Sequence, residues 1–303
     1  MSVRDLAEFL TLATIWGASF LFMRIAAPEL GPVPLMLLRC AIGAATLLPV
    51  LWWHGAWPAL RRSWAAIAVV GVINSAIPFV LLGVASLSLA AGTTSILNAL
   101  APLWTAAFAF AVFGDRLTRW QCVGLALGVA GVALLTGTGA AAGETVGRGG
   151  VALAFAAAIA ATAAYGIGAN LARARLRGVE PLAVATGSQL SASAVLLVPA
   201  ILWWPEQPVP HAGTAPATLW LSVIALGTLC TGLAYLLFFR LIARLGATRT
   251  VSVTFVIPVS GVLWGALLLD EVVDAWTLGG AAVIVLGTAL ATGVLAPRRE
   301  RSV

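Results

Sequence analysis

Lysine is missing from this chain, histidine occurs twice, cysteine three times, and only 9% of the 303 residues are charged. A soluble domain carries roughly 25% charged residues. With 61% hydrophobic residues and a mean hydropathy of +1.03, the chain falls far outside that class and is expected to be an integral membrane protein. The three cysteines (Cys40, Cys122 and Cys230) sit in separate apolar runs without a CxxC pair, so they read as small packing residues rather than metal ligands or a disulfide framework. His54 and His211 fall in expected loops, which removes the usual ligand of a catalytic metal, and no metal or cofactor is expected. Neither GxSxG nor HExxH occurs, so an intramembrane enzyme has no visible machinery. The Gly-rich stretch 143–150 lacks the Lys-Ser/Thr ending of a phosphate loop. The formal charge of +6 comes from 17 arginines placed singly or in twos and threes between apolar runs. That is the spacing of membrane anchors, and it excludes a nucleic-acid partner.

Long apolar runs are abundant. A span needs about 20 mostly apolar residues, and ten are expected, at roughly 6–26, 33–53, 64–85, 90–113, 119–137, 149–171, 180–203, 217–238, 246–269 and 275–296. The longest connections, 138–148 and 204–216, are rich in turn-forming residues. With the N-terminus inside, cytoplasmic segments hold thirteen arginines (4, 61, 62, 116, 119, 173, 175, 177, 240, 244, 298, 299 and 301), whereas outer segments hold Arg24 and Arg148. The asymmetry places both termini in the cytoplasm. A removable signal peptide is a competing reading of the first span, but Trp16-Gly17 and Arg24 recur as Tyr165-Gly166 and Arg173, so the span belongs to the fold.

The recurrence is general. Adding 156 to the numbers of Ala90–Gly137 gives Gly246–Gly293 without a gap. Thr94 then falls on Thr250, Asn98 on Thr254, Pro102 on Pro258, Asp115 on Glu271, Trp120 on Trp276, Gly124 on Gly280 and Gly131 on Gly287. We read a duplication, with one five-span repeat at 1–137 and a second at 149–296 in one membrane domain. Five is odd, so the second half enters the membrane from the opposite side, as an inverted repeat about a pseudo-two-fold axis in the membrane plane. Such a pair of halves has two near-equivalent packings, one open to each side. It is the basis of alternating access, with substrate held near mid-membrane. The competing reading is a duplicated scaffold without a pathway.

Polar residues deep in spans are costly and mark function. Asn74 with Ser75, Asn98 with its partner Thr254, and Gln189 are the deepest, and Thr94 lies on the Asn98 helix. Arg39, a third of the way into the second span, costs roughly 3 kcal/mol to insert, so it faces an interior or aqueous cavity unless it snorkels; Arg249 carries the same two readings. Pro102 and Pro258 are expected to kink their helices at matching places, as a shared hinge or a cavity-shaping bend, and Pro78 kinks the third span. Trp16/Tyr165 and Phe79/Tyr235 are deep aromatic pairs and Trp264 is also deep, which fits either an aromatic-lined cavity or plain core packing. None of the eleven acidic residues lies at mid-membrane, so transport without proton or sodium coupling is the simplest expectation.

The chain resembles, over its whole length, the EamA-type ten-helix exporters of the drug/metabolite transporter superfamily. The resemblance is carried by Trp16-Gly17-Ala18-Ser19-Phe20, Arg39, Phe113-Gly114-Asp115-Arg116-Leu117-Thr118, Gly124 and Gly131. It implies a 5+5 inverted fold, a central cavity lined by the first four helices of each half, and export of amino acids, other metabolites or lipophilic organic cations across a bacterial inner membrane. The deep aromatic pairs are similar to those of the aromatic amino-acid exporter branch. Two departures stand out: Gly114-Asp115 where the family often has Gly-Glu, and Leu269-Asp270-Glu271 without the glycine. The expected partners are a small-molecule substrate and the lipid bilayer. Oligomeric state is open, with a monomer compatible.

Overall fold

The computed structural model describes residues 2–137, 148–205 and 216–295. Most of the connections 138–148 and 204–216 lies outside that set, as do His211, Arg298, Arg299, Arg301 and residue 296 of the second repeat. Among the described residues, nine helices are long and apolar enough to cross a membrane: Val3–Leu30, Pro32–Trp53, Trp57–Ala85, Ala91–Val112, Arg119–Thr136, Gly149–Arg175, Pro181–Leu202, Pro216–Leu245 and Arg249–Leu268. A tenth, Ala275–Ala291, is 17 residues long and apolar. We refer to these as spans one to ten. They make the protein a multi-pass membrane protein.

The helices start where their sequences allow it. Ser2 and Asp5 form a reciprocal capping box on span one. Thr118 and Gln121 cap span five, with the Thr118 hydroxyl accepting from the Gln121 amide at 3.2 Å. At the positions 156 residues later, Asp274 accepts from the Thr277 amide at 2.7 Å and caps span ten. The Thr277 hydroxyl first, and its amide second, hold the Asp274 carboxyl below the usual carboxylate range. The third span starts at Trp57, seven residues before the expected 64, because Pro58 sits in its first turn and Arg61 and Arg62 remain exposed on it.

The prolines act more sharply than a kink. Span four stops at Asn98 and restarts at Ala101 with Pro102 in the first turn. Span nine passes from a short helix, Ala247–Val251, through a 3-10 turn, Ser252–Phe255, to a new helix at Ile257 with Pro258 in its first turn. A proline lacks an amide and fits the start of a helix better than its interior, so both helices are broken there. Pro78 likewise sits in the first turn of Ile77–Ala85, after a π-helical turn at Val72–Ala76. A second π-helical turn, Thr228–Leu233, starts 156 residues further on and has no proline behind it.

Helix contacts follow the same offsets. An added Cβ at Gly17 would meet Ser260 and Gly261, and one at Gly166 would meet Trp104 and Thr105. Gly71 lies against Ser188 as Gly227 lies against Ile42 and the Arg39 carbonyl. Spans five and ten pack most closely: Gly124 faces the Gly287 carbonyl oxygen and Gly131 faces Ile284 and the Gly280 carbonyl. The higher number falls as the lower rises, so these two spans are antiparallel. Glycine lets their backbones approach closely.

A central cavity as the candidate functional site

The broken and π-turned helices surround a cavity of about 760 Å3, within the range of small-molecule sites. Its aromatic wall includes Trp16, Phe20, Phe79, Tyr165, Tyr235 and Phe238, and its polar wall includes Ser19, Arg39, Asn74, Asn98, Asn170 and Thr254. The cavity extends to Asp115, Arg116, Gln121 and Arg173 beyond the last turn of span four. Arg173 donates to Asp115 there at 3.1 Å, and the two side chains are 52% and 51% exposed.

Arg39 is 6% exposed. Its Nε donates to the Thr231 hydroxyl at 3.1 Å, and its Nη1 points at the Met23 sulfur at 3.8 Å. The guanidinium carbon stands 3.8 Å from the Phe79 ring centroid, an attraction worth about 2 kcal/mol when desolvated. Thr231 belongs to the second π-turn, and its hydroxyl donates to the Leu226 carbonyl at 2.9 Å, which turns a lone pair toward Arg39. A π-turn lets one extra residue into the helical ladder and is often found at functional sites.

Trp16, Arg39, Asn74, Phe79, Asn98, Pro102, Tyr165, Tyr235 and Thr254 all line this one cavity. Other singled-out residues do not line it. Thr94 is fully buried and its hydroxyl donates to the Ala90 carbonyl. Pro78 is buried at a helix start, and half-buried Trp264 packs against the core with its indole N–H donating to the Thr14 carbonyl at 3.1 Å. Gln189 is fully buried behind the wall, its Nε2 donating to the Ser75 hydroxyl at 3.3 Å. Pro258 is buried at its helix break and also lies off the lining. Arg249 is exposed and does not line the cavity.

Several lining residues escaped the sequence reading. Phe238, Met23 and Phe20 look like any core residue, and Cys230 reads as a packing residue although it both packs and lines the cavity. Asn170 is 4% exposed, and its amide donates to the Thr105 and Gly166 carbonyls, both at 2.9 Å. It lies one residue from the end of the expected span 149–171, so depth gave no signal for it.

Comparison with known proteins agrees with this geometry. The EamA-like transporter family matches residues 7–137 and again residues 150–293. A probable terminal-alkyne amino-acid exporter of Streptantibioticus cattleyicolor is 26% identical over 98% of this chain and 96% of its own. A probable amino-acid metabolite efflux pump of Salmonella typhimurium is 24% identical over 95% and 94%. A solved crystal structure, 22% identical, superposes with a TM-score of 0.65 over 97% of this chain and 98% of that one, which extends the likeness to the fold. The chain belongs to the EamA-like transporter family, within the drug/metabolite transporter superfamily.

Proposed function

We propose that this transporter exports amino acids, aromatic and apolar ones included, and related metabolites across a bacterial cytoplasmic membrane, by alternating access and without ion coupling. The observation that carries the reading is the central cavity, with one aromatic and one polar wall. An amphipathic molecule of amino-acid size matches both walls. The names of the two relatives point the same way. The halves 1–137 and 149–296 are taken as inverted repeats, supported by the double family match and by the paired contacts of spans five and ten. Both termini are taken as cytoplasmic from the arginine count. Contacts near the span ends fit the alternation of the ten spans, since each joins parts placed on one side. Glu8 bonds Arg240 and Arg244, Asp115 bonds Arg173, and Arg24 donates to the Ser86 and Leu87 carbonyls.

Export of lipophilic cations is the alternative. Among the described residues, Asp115 is the one acidic residue lining the cavity, and it sits at the mouth against Arg173 rather than beside the aromatic wall. Purified protein in liposomes loaded with labelled phenylalanine or leucine should release it down its gradient and exchange it for unlabelled substrate. No flux of any amino acid would overturn the reading. A pH gradient imposed without a substrate gradient should drive no accumulation, and accumulation would overturn the uncoupled mechanism.

A further inference from the structure

We propose that Arg39 is the anion-reading residue of the cavity and makes a carboxylate the required group of every substrate, whether or not the substrate carries an amine. The inference rests on the export reading above and narrows it.

A guanidinium has five N–H donors in a fixed fork. At Arg39 only Nε has an oxygen acceptor; Nη1 has a thioether, a weak acceptor, and Nη2 has no partner among the described residues. No ion pair involves Arg39 among those residues. Buried charges are normally paired, because desolvation is otherwise uncompensated. Thr231 and the Phe79 face hold the plane of the group, so the Nη edge is oriented before any ligand arrives. A planar fork with both Nη groups free of oxygen acceptors matches the two oxygens of a carboxylate.

The second half supplies the control. Thr231 lies 156 residues after Ser75, and each is held by a side chain from the other half: Arg39 donates to Thr231, and Gln189 donates to Ser75. The backbone contacts pair Arg39 with Ser188, one residue from Gln189, through Gly227 and Gly71. A neutral donor therefore serves the same bridge between halves at Gln189. The charge at Arg39 exceeds what that bridge needs, and it faces the cavity whereas Gln189 does not. Asn98 adds an acceptor on the same cavity: its buried Oδ1 has no partner among the described residues, and it suits a donor on the substrate.

The experiment is competition against labelled L-phenylalanine in liposome exchange, with L-phenylalaninamide, 3-phenylpropionate and 2-phenylethylamine as competitors. The acid lacking the amine should compete within roughly tenfold of phenylalanine. The amide and the amine, which leave Arg39 without an anion, should be weaker by about 30-fold or more. Equal competition by acid and amide overturns the proposal. Arg39→Gln keeps a donor for Thr231 and should still fold, raise KM for phenylalanine by a similar factor, and abolish the preference of acid over amide. A variant that folds and keeps the preference also overturns it. Calorimetric titration of the wild type with the same compounds separates the two readings. Carboxylate-selective binding without amino-acid flux sustains the anion site and sinks the export reading, whereas flux without carboxylate selectivity does the reverse. Absence of both sinks both.

Discussion

Glu271 and Asp115 follow the last turns of spans nine and four, 156 residues apart, and the backbone around them is the same. The Glu271 amide donates to the Gly265 carbonyl at 3.2 Å, and the Asp115 amide donates to the carbonyl of Ala109, the matching residue, at 3.3 Å. Their carboxylates differ. Glu271 reaches across the halves and accepts from the amides of Ala91 and Gly92, at 2.7 and 3.2 Å, capping the start of span four. Asp115 instead pairs with exposed Arg173 at the cavity mouth. Span four starts at one carboxylate and ends at the other, about 30 Å apart for a span of 22 residues. One end of the molecule is thus latched and the other is open. Two sequence differences accompany this. Glutamate is longer than aspartate by a methylene. Gly265 also leaves room for the Glu271 carboxylate in the space that a Cβ would fill, and Ala109 offers no such room. Equivalent segments thus reach unequal contacts in this structure, an asymmetry of the kind the proposed alternating access would need.

Breaking what the halves share should have the largest effect. Gly124→Ala places a Cβ against the Gly287 carbonyl, which cannot move aside, and should destabilise the protein by about 3 kcal/mol. The matching Gly280→Ala meets chiefly the Leu135 side chain at 2.7 Å and should be milder. Thermal unfolding in detergent ranks the two, and equal losses would contradict the packing described.

Removing the latch comes next. Glu271→Ala forfeits two charge-assisted bonds and should cost about 1–3 kcal/mol. Asp115→Ala loses an exposed pair and should cost under about 1 kcal/mol. Gly265→Ala should mimic Glu271→Ala by displacing the carboxylate. A cysteine at Ala101, in a protein without its native cysteines, reports the state of the cavity. In the parent it should react with an impermeant maleimide from the Asp115 side, and in Glu271→Ala from both sides. Unchanged sidedness would show that Glu271 caps a helix without holding the end shut.

The smallest effect sharpens a different departure. Asp270, φ +52°, occupies the left-handed conformation that Gly114, φ +69°, takes in the first half. Asp270→Gly should raise stability slightly, by about 0.5–1 kcal/mol, because glycine meets no Cβ penalty there. The same change read as neutral or harmful would mean that the Asp270 side chain has work of its own.

Much of this was legible as hydropathy. The ten spans stood out because a bilayer crossing demands long apolar runs, and their ends shifted where Arg61 and Arg62 ride on a helix that the apolar pattern excludes. Arg39, Asn74 and Asn98 were legible because a polar side chain at that depth needs a polar environment. Gln189 lies at similar depth and Thr94 one turn nearer the span end, but both face helix neighbours, and which face a helix turns inward depends on tertiary packing. The π-turns left no sequence trace beyond the glycines Gly71 and Gly227. They depend on close approach to Ser188 and Arg39 from the other half. The helix breaks at Pro102 and Pro258 were legible in place, and their sharpness was not.

The glycine seam has one more consequence. Gly124 facing Gly287 and Gly131 facing Gly280 is the arithmetic of an isologous interface, in which residue i meets j and the counterpart of i meets the counterpart of j. Each half carries the complement of the other's contact surface. Expressed as two separate polypeptides, residues 1–137 and 149–296 should find one another in the membrane and restore the seam, much as two subunits do.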